Sequence, residues 1–204
     1  VRYYDGADPD DIWAVKSAGI DPSNGKELFY AKDGSYTYDF SYDDEVICGN
    51  TRPDVEGVIG SSLNWKGFSV SLNFRYQMGA DVFNEALYNK VENISKNDLN
   101  KNQDRRALYE RWQEVGDIVH FKDIASAETT PMSSRFVQEE NVLTLESVYL
   151  GYEFYDGWIK KLGLSSLKFQ VSMRDVFRAS TIRSERGISY PFALSMEAGL
   201  SFNF

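Results

Sequence analysis

Residues 67–78 read Gly67-Phe68-Ser69-Val70-Ser71-Leu72-Asn73-Phe74-Arg75-Tyr76-Gln77-Met78. Every even position from Phe68 to Met78 is apolar or aromatic, and every odd position from Ser69 to Gln77 is polar. Side chains alternate across a strand, so the stretch predicts a β-strand with one apolar and one polar face. Two later stretches repeat the pattern. Leu167, Phe169, Val171 and Met173 oppose Ser166, Lys168, Gln170, Ser172 and Arg174. Leu194, Met196, Ala198, Leu200, Phe202 and Phe204 oppose Ser195, Glu197, Gly199, Ser201 and Asn203. Residues 55–65 place Val55, Ile59, Leu63 and Trp65 on one side. In 142–154, Leu143 and Leu145 share one phase and Val148, Leu150, Tyr152 and Phe154 the other, which predicts a β-bulge near Glu146–Ser147. Trp65-Lys66-Gly67 leaves room only for a hairpin between 55–65 and 67–78.

Alternation alone does not say whether the apolar face meets a protein core or lipid; a soluble β-sandwich gives the same pattern. Three features favour lipid. Phe68 to Met78 spans roughly 33 Å at ~3.3 Å per residue. Tilted by ~40–45°, that covers about 24 Å, near the ~25 Å apolar band of an outer-membrane barrel. Aromatic residues gather at both strand ends: Trp65, Trp158, Tyr152, Phe154, Phe202 and Phe204 at the short-turn end, Tyr76, Phe177, Tyr190 and Phe192 at the long-loop end. The last strand finishes on Phe204, as the closing strand of an outer-membrane barrel does, where the terminal aromatic serves as an assembly signal.

The fold class expected is therefore all-β, with antiparallel transmembrane strands. Five strands are long enough to span, 55–65, 67–78, 142–154, 166–177 and 193–204. Bacterial barrels need an even number of at least eight, so the chain is expected to be the C-terminal part of a larger barrel. Residues 1–54 are expected to form an extracellular loop and hairpin region, with short strands at 13–17, 26–31 and 36–40. Residues 55–78 form a transmembrane hairpin, 79–141 a long extracellular loop with two short helices, and 142–204 the last three barrel strands.

Composition narrows the chemistry. The 204 residues carry 22 Lys+Arg against 31 Asp+Glu, a net charge of −9, which excludes a nucleic-acid binder. No apolar run exceeds four residues, so no transmembrane helix is expected. Val1 is followed by no basic region and apolar run, so no signal peptide is visible. A single Cys48 and a single His120 exclude a disulfide framework and Cys- or His-rich metal sites. His120 is expected in a loop or edge strand, and Cys48 as a small buried hydrophobe. Asp8, Asp10 and Asp11, and Asp43, Asp44 and Glu45, lack the spacing of a calcium loop and are expected to be solvated. Asn93-Ile94-Ser95 matches a glycosylation sequon. No catalytic constellation and no cofactor are expected. Glu56, Arg75, Lys168, Arg174 and Glu197 fall on the polar face, which lines the lumen if the apolar face meets lipid.

The 79–141 insertion is far longer than a hairpin loop and is the expected place for partner contact. Asp81 is predicted to cap one helix carrying Val82, Phe83, Ala86 and Leu87. Asp104 is predicted to cap another, with Leu108 and Trp112 inside and Arg105, Arg106, Glu110 and Arg111 outside. Tyr88, Arg105, Arg106, Tyr109 and Trp112 are the candidate contact residues, the side-chain types that dominate interfaces. Alternatively, Leu108 and Trp112 pack the loop onto itself.

Several motifs in order resemble a known family. Gly19-Ile20-Asp21-Pro22-Ser23-Asn24-Gly25 resembles a hairpin of the SusC/RagA-type TonB-dependent transporters. Gly49-Asn50-Thr51-Arg52-Pro53 followed by Lys66-Gly67-Phe68-Ser69, Leu145-Glu146-Ser147-Val148-Tyr149-Leu150-Gly151-Tyr152, and Tyr190-Pro191 through Phe204 are similar to other parts of it. Asp175-Val176-Phe177 departs from the family's Asn-Leu-Phe. The resemblance implies a 22-stranded outer-membrane barrel with an N-terminal plug, in Gram-negative Bacteroidota. Its implied partners are the rest of the transporter chain, a SusD-type lipoprotein lid, the TonB complex, the lipid bilayer, and an oligosaccharide or peptide substrate. Nutrient import, foremost of oligosaccharides, is the leading expectation. The alternatives are import of oligopeptides by the same family, or a secreted soluble β-sandwich that binds glycans. A β-sheet hydrolase ranks third.

Overall fold

Two glycine-dependent features fix the long hairpin. Lys66 and Gly67 both take positive φ, 46° and 88°, which is the two-residue turn whose twist matches that of the flanking strands. A Cβ on Gly67 would lie 2.5 Å from the Glu153 carbonyl oxygen, so only glycine fits the tip. The computed structural model describes residues 4–126, 128–182 and 194–204. Tyr190 and Phe192, expected in the long-loop aromatic girdle, and the Tyr190-Pro191 motif lie outside the described residues.

The chain divides into two compact units, Pro53–Gly79 with Asn141–Phe204, and Val1–Arg52 with Ala80–Glu140. In chain order the strands are β1 (Asp11–Val15), β2 (Ser17–Ile20), β3 (Glu27–Tyr30), β4 (Tyr36–Thr37), β5 (Glu45–Asn50), β6 (Val55–Trp65), β7 (Phe68–Phe83), β8 (Val137–Phe154), β9 (Ser166–Ser180) and β10 (Ser195–Asn203). Two four-residue helices are α1 (Arg106–Tyr109) and α2 (Trp158–Lys161), and a π-helix covers Leu87–Glu92.

The first unit holds an antiparallel sheet in the order β10-β9-β8-β7-β6. Its register keeps the apolar positions on one face. Ile59 faces Phe74, Leu63 faces Val70 and Trp65 faces Phe68. Phe169 sits between Tyr152 and Leu200, and Lys168 between Glu153 and Ser201. The Phe68 and Tyr152 rings, 4.4 Å apart, carry the apolar face from β7 to β8. This face is uncovered: Phe68, Phe169 and Leu200 are 52%, 45% and 59% exposed. A sandwich core would bury them. At the short-turn end, Ile159, Leu164 and Leu167 form a small buried cluster with Phe154, so the 155–165 turn covers only that strand end.

The predicted bulge is present. The β8–β9 register shifts between Leu145 and Ser147. Glu146 pairs with Arg75, and Ser147 accepts a 2.9 Å bond from Asn73, although consecutive residues of a regular strand face opposite ways. Asn73 and Arg75 lie on the polar face, so the bulge turns Glu146 and Ser147 both that way. Leu145 and Val148 are thereby left in opposite phases. On β9 the irregularity is met by Asp175 at φ 52°. Asp and Asn tolerate the left-handed region because their side chains bond locally, whereas a branched side chain costs about 1–2 kcal/mol there. Asp175→Asn is expected to leave the yield of assembled full-length protein unchanged and Asp175→Val to lower it, read by heat-modifiable gel mobility.

In the second unit β1 pairs with β5, and β2, β3 and β4 form a three-stranded sheet. β5 is a strand beyond the three short ones expected in residues 1–54. Leu87, Val91, Ala107, Phe121 and Phe136 make the core, with Phe83, Tyr88 and Ile94 against it. Two helix predictions are corrected. Asp81 does not cap a helix: it lies in β7, and its carboxylate accepts the Asn50 N–H at 3.0 Å. Val82 and Phe83 stay in the strand because the Phe83 ring packs on Phe136 and Tyr88, 5.9 and 5.5 Å away. Asn84 takes the capping role, its side chain accepting the Leu87 N–H at 3.0 Å. Asp104 does accept the Arg106 N–H, at 2.9 Å, but α1 stops at Tyr109, so Trp112 lies beyond it. Ala107 and Arg111 face inward instead of Leu108, which is 62% exposed.

Candidate functional site

The second unit is organised around buried charge. Glu92 is the last residue of the π-helix, and its side chain is fully buried. One carboxylate oxygen accepts from Arg135 and from the Thr130 hydroxyl, both at 2.8 Å. Arg135 also holds Glu27 of β3 through two bonds, at 2.8 and 3.2 Å. The Ser133 hydroxyl adds a 2.5 Å bond to Glu27. Burial pulls Arg135 down, but the Glu27 and Glu92 carboxylates outweigh it and hold the guanidinium above its ordinary value. One arginine thus ties together β3, the π-helix and the 130–136 segment.

Arg111 belongs to the same region but is bonded differently. Its guanidinium donates to the carbonyls of Ala107, Lys122 and Glu92 at 3.0, 2.9 and 3.2 Å. Burial lowers it from its ordinary value, and the pull of Glu92 and Asp123 only partly opposes this. Lys122 is lowered for the same reason. Beside these cations opens a cleft of about 800 Å³, lined by Tyr88, Asn93, Lys96, Arg111, Lys122 and Thr129 among others. That volume lies in the ~300–1,000 Å³ range of small-molecule sites. A second cleft of about 370 Å³ lies against Glu27, Phe29, Tyr38 and Phe40 and shares Lys122 and Thr129 with the first.

The predicted contact residues do not form one surface. Tyr88 packs in the core, and its hydroxyl donates to the Thr130 carbonyl at 2.8 Å. Trp112 donates from Nε1 to the Pro22 carbonyl at 3.0 Å. A Cβ on Gly25 would lie 2.6 Å from the Trp112 ring, so the Asp-Pro turn ends in glycine to admit the indole. Arg106 pairs with Asp104 at 2.6 Å. Arg105 and Tyr109 do meet at the surface, the guanidinium 5.4 Å from the ring centre. Tyr109 is 70% exposed, and Val115 and Ile118 elsewhere in the insertion are 75% and 91% exposed. Phe204 follows β10 with its ring exposed. Of the acidic residues expected to be solvated, Asp8 and Asp10 pair with the exposed Arg52; His120 lies in a loop, and its carbonyl accepts from Arg135. The Cys48 thiol donates to the Ala14 carbonyl at 3.4 Å, and burial raises its pKa.

No protein-family model matches the chain. TonB-dependent receptor P39 of Formosa agariphila is 25% identical over 171 residues, 82% of this chain and 16% of the relative. TonB-dependent receptor P3 of the same organism is 25% identical over 169 residues, 83% of this chain and 16% of the relative. The RagAB peptide transporter superposes on 96% of this chain with a TM-score of 0.76 and 20% identity, covering 23% of that chain. The RagAB peptide importer in its open-open state superposes on 95% with a TM-score of 0.75 and 20% identity, covering 22% of that chain. The chain is thus similar in sequence to part of two TonB-dependent receptors and in fold to part of the RagAB transporter. At 20% identity the likeness to the RagAB structures is one of fold. The chain spans 16% of the length of the curated relatives it matches.

Proposed function

We propose that this chain contributes strands and outer loops to a TonB-dependent importer in the outer membrane of a Gram-negative bacterium. The observation that carries the reading is the uncovered apolar face running from Val55 to Leu200, on strands long enough to cross a bilayer. The remainder of the transporter chain supplies the plug and the other strands, and the TonB complex supplies energy. The polar face, with Arg75, Glu146 and Lys168, lines the water-filled interior. Oligosaccharide uptake is the leading reading. Oligopeptide uptake is the second, favoured by the likeness to the RagAB peptide importer. The test is uptake of labelled oligosaccharides and oligopeptides by cells with and without the full-length gene. Loss of uptake on deletion supports import, and uptake unchanged for every substrate counts against it.

A SusD-type lipoprotein is the proposed lid, docking on the exposed edge at Arg105, Leu108 and Tyr109. Truncating an interface hot spot costs ~2 kcal/mol or more. Tyr109→Glu is therefore expected to weaken copurification of the lipoprotein with the full-length transporter by about tenfold or more. Trp112→Ala is expected to act differently, loosening the Pro22 turn and raising its hydrogen exchange. Unchanged copurification of the Tyr109 variant places the lid elsewhere.

A further inference from the structure

The cleft beside the π-helix has no role in forming the sheet or its bilayer contact, yet its wall has a distinct chemistry. The whole chain carries a net charge of −9, but Lys96, Arg111 and Lys122 all line this one cavity. Two carboxylates line it as well, Glu92 and Glu128. That of Glu92 is already held by Arg135 and Thr130, which leaves the cations in excess.

The two inner cations are incompletely satisfied. Arg111 is 5% exposed, and among the described residues no carboxylate lies within 4 Å of it. A guanidinium has five N–H donors, and three atoms of this one donate to carbonyl oxygens, one bond each. Two donors remain. The Lys122 ammonium donates to Asn93 Oδ1 at 3.4 Å and to the Glu128 carbonyl, which leaves one of its three. Carbonyls solvate these cations without neutralising them. Burial works against both charges, and an anion entering the cleft relieves that cost. Asn89, Ser95 and Thr129 add neutral polar groups, and Ile94 and Leu99 add apolar wall.

We propose that this cleft binds a carboxylate-bearing oligomer, its anionic group held by Lys122 and Arg111 with Lys96 at the exposed rim. The carboxylate belongs either to an acidic sugar or to a peptide terminus, and both present the same planar pair of oxygens to a guanidinium or ammonium. The assignment names a substrate class for the importer proposed above and rests on that reading for its biological use. Binding is nonetheless measurable without transport, so failed uptake and failed binding are separate results.

The test is calorimetric titration of the purified full-length transporter in detergent, at low and high salt, with four probes. These are trigalacturonic acid, its fully methylated ester, Ala-Ala-Ala and Ala-Ala-Ala-amide. One acid is expected to bind about tenfold or more tightly than its neutral counterpart, with affinity falling as salt rises. Lys122→Gln is expected to remove that preference by weakening binding of the acid about tenfold. Lys96→Glu, at an exposed position that does not threaten folding, is expected to move affinity in the same direction. Preference for the uronate identifies acidic glycans as the source, and preference for the free tripeptide identifies peptides. If neither acid outbinds its neutral counterpart, or if both variants keep the preference, the proposal is overturned.

Discussion

Leu72→Arg is expected to abolish assembly of the full-length transporter, while Asn73→Arg one residue along leaves it assembled. Leu72 stands opposite Ser61 in the register and on the same face as Phe74 and Val70, the face left uncovered by the protein. If that face meets lipid, an arginine there costs about 2–4 kcal/mol near the bilayer midplane. That is roughly a 30- to 900-fold change in an equilibrium constant. Asn73 points to the other face, where it donates to Ser147 at 2.9 Å and lies two residues from Arg75. Arginine there loses one hydrogen bond, about 1 kcal/mol, and keeps its charge in water. The measurement is the heat-modifiable folded species in outer-membrane fractions. Equal amounts from the two variants would show that the two faces meet the same solvent.

The contrast works because β-strand facing is local information. Period-two alternation from Phe68 to Met78 identifies a face without any long-range contact, and the pairing of Leu63 with Val70 and Phe169 with Leu200 follows it. The phase slip between Leu145 and Val148 was legible for the same reason, since a bulge leaves its mark on the strand that carries it. Strand ends were less legible. β7 runs on to Phe83 and β8 begins at Val137, beyond the limits set by alternation, because tertiary packing of Phe83 on Phe136 extends the strand past its amphipathic stretch. Val82, Phe83, Ala86 and Leu87 fit a helical spacing as well, so only the contacts decide that Asn84 and not Asp81 opens the helix.

The insertion's interior was not legible. Sequence spacing placed Arg111 on an outer helix face, on the assumption that α1 continues past Tyr109. It does not, and the guanidinium turns inward to three carbonyls. Glu27 and Arg135 lie 108 residues apart, and Arg135 lies 43 from Glu92. No local period links charges at such distances, and each alone looks like one more solvated residue in an acidic chain. Arg105 and Tyr109, in contrast, are singled out by residue type alone, and the structure leaves both side chains at the surface.

Arg135→Met is expected to unfold the insertion locally while sparing the sheet. The Arg135 side chain is 10% exposed and its partners Glu27 and Glu92 are 6% and 0% exposed. Removing one member of a buried ionic cluster costs about 3–5 kcal/mol, because the charges left behind are desolvated and unpaired. Here two carboxylates would be stranded beside each other, and the π-helix would lose its link to β3 and the 130–136 segment. Hydrogen exchange in the full-length protein reads the effect directly: protection of residues 84–93 and 128–136 falls by about a hundredfold or more, and protection of β9 does not change. Adding Glu27→Gln and Glu92→Gln to Arg135→Met removes the stranded charges and is expected to restore most of the protection. Recovery in the triple variant separates the electrostatic account from simple loss of guanidinium packing, since the Arg135 guanidinium carbon lies 4.6 Å from the Phe136 ring centre and is missing in both. Protection that stays low in the triple variant would assign the stability to that packing and leave the carboxylates as bystanders.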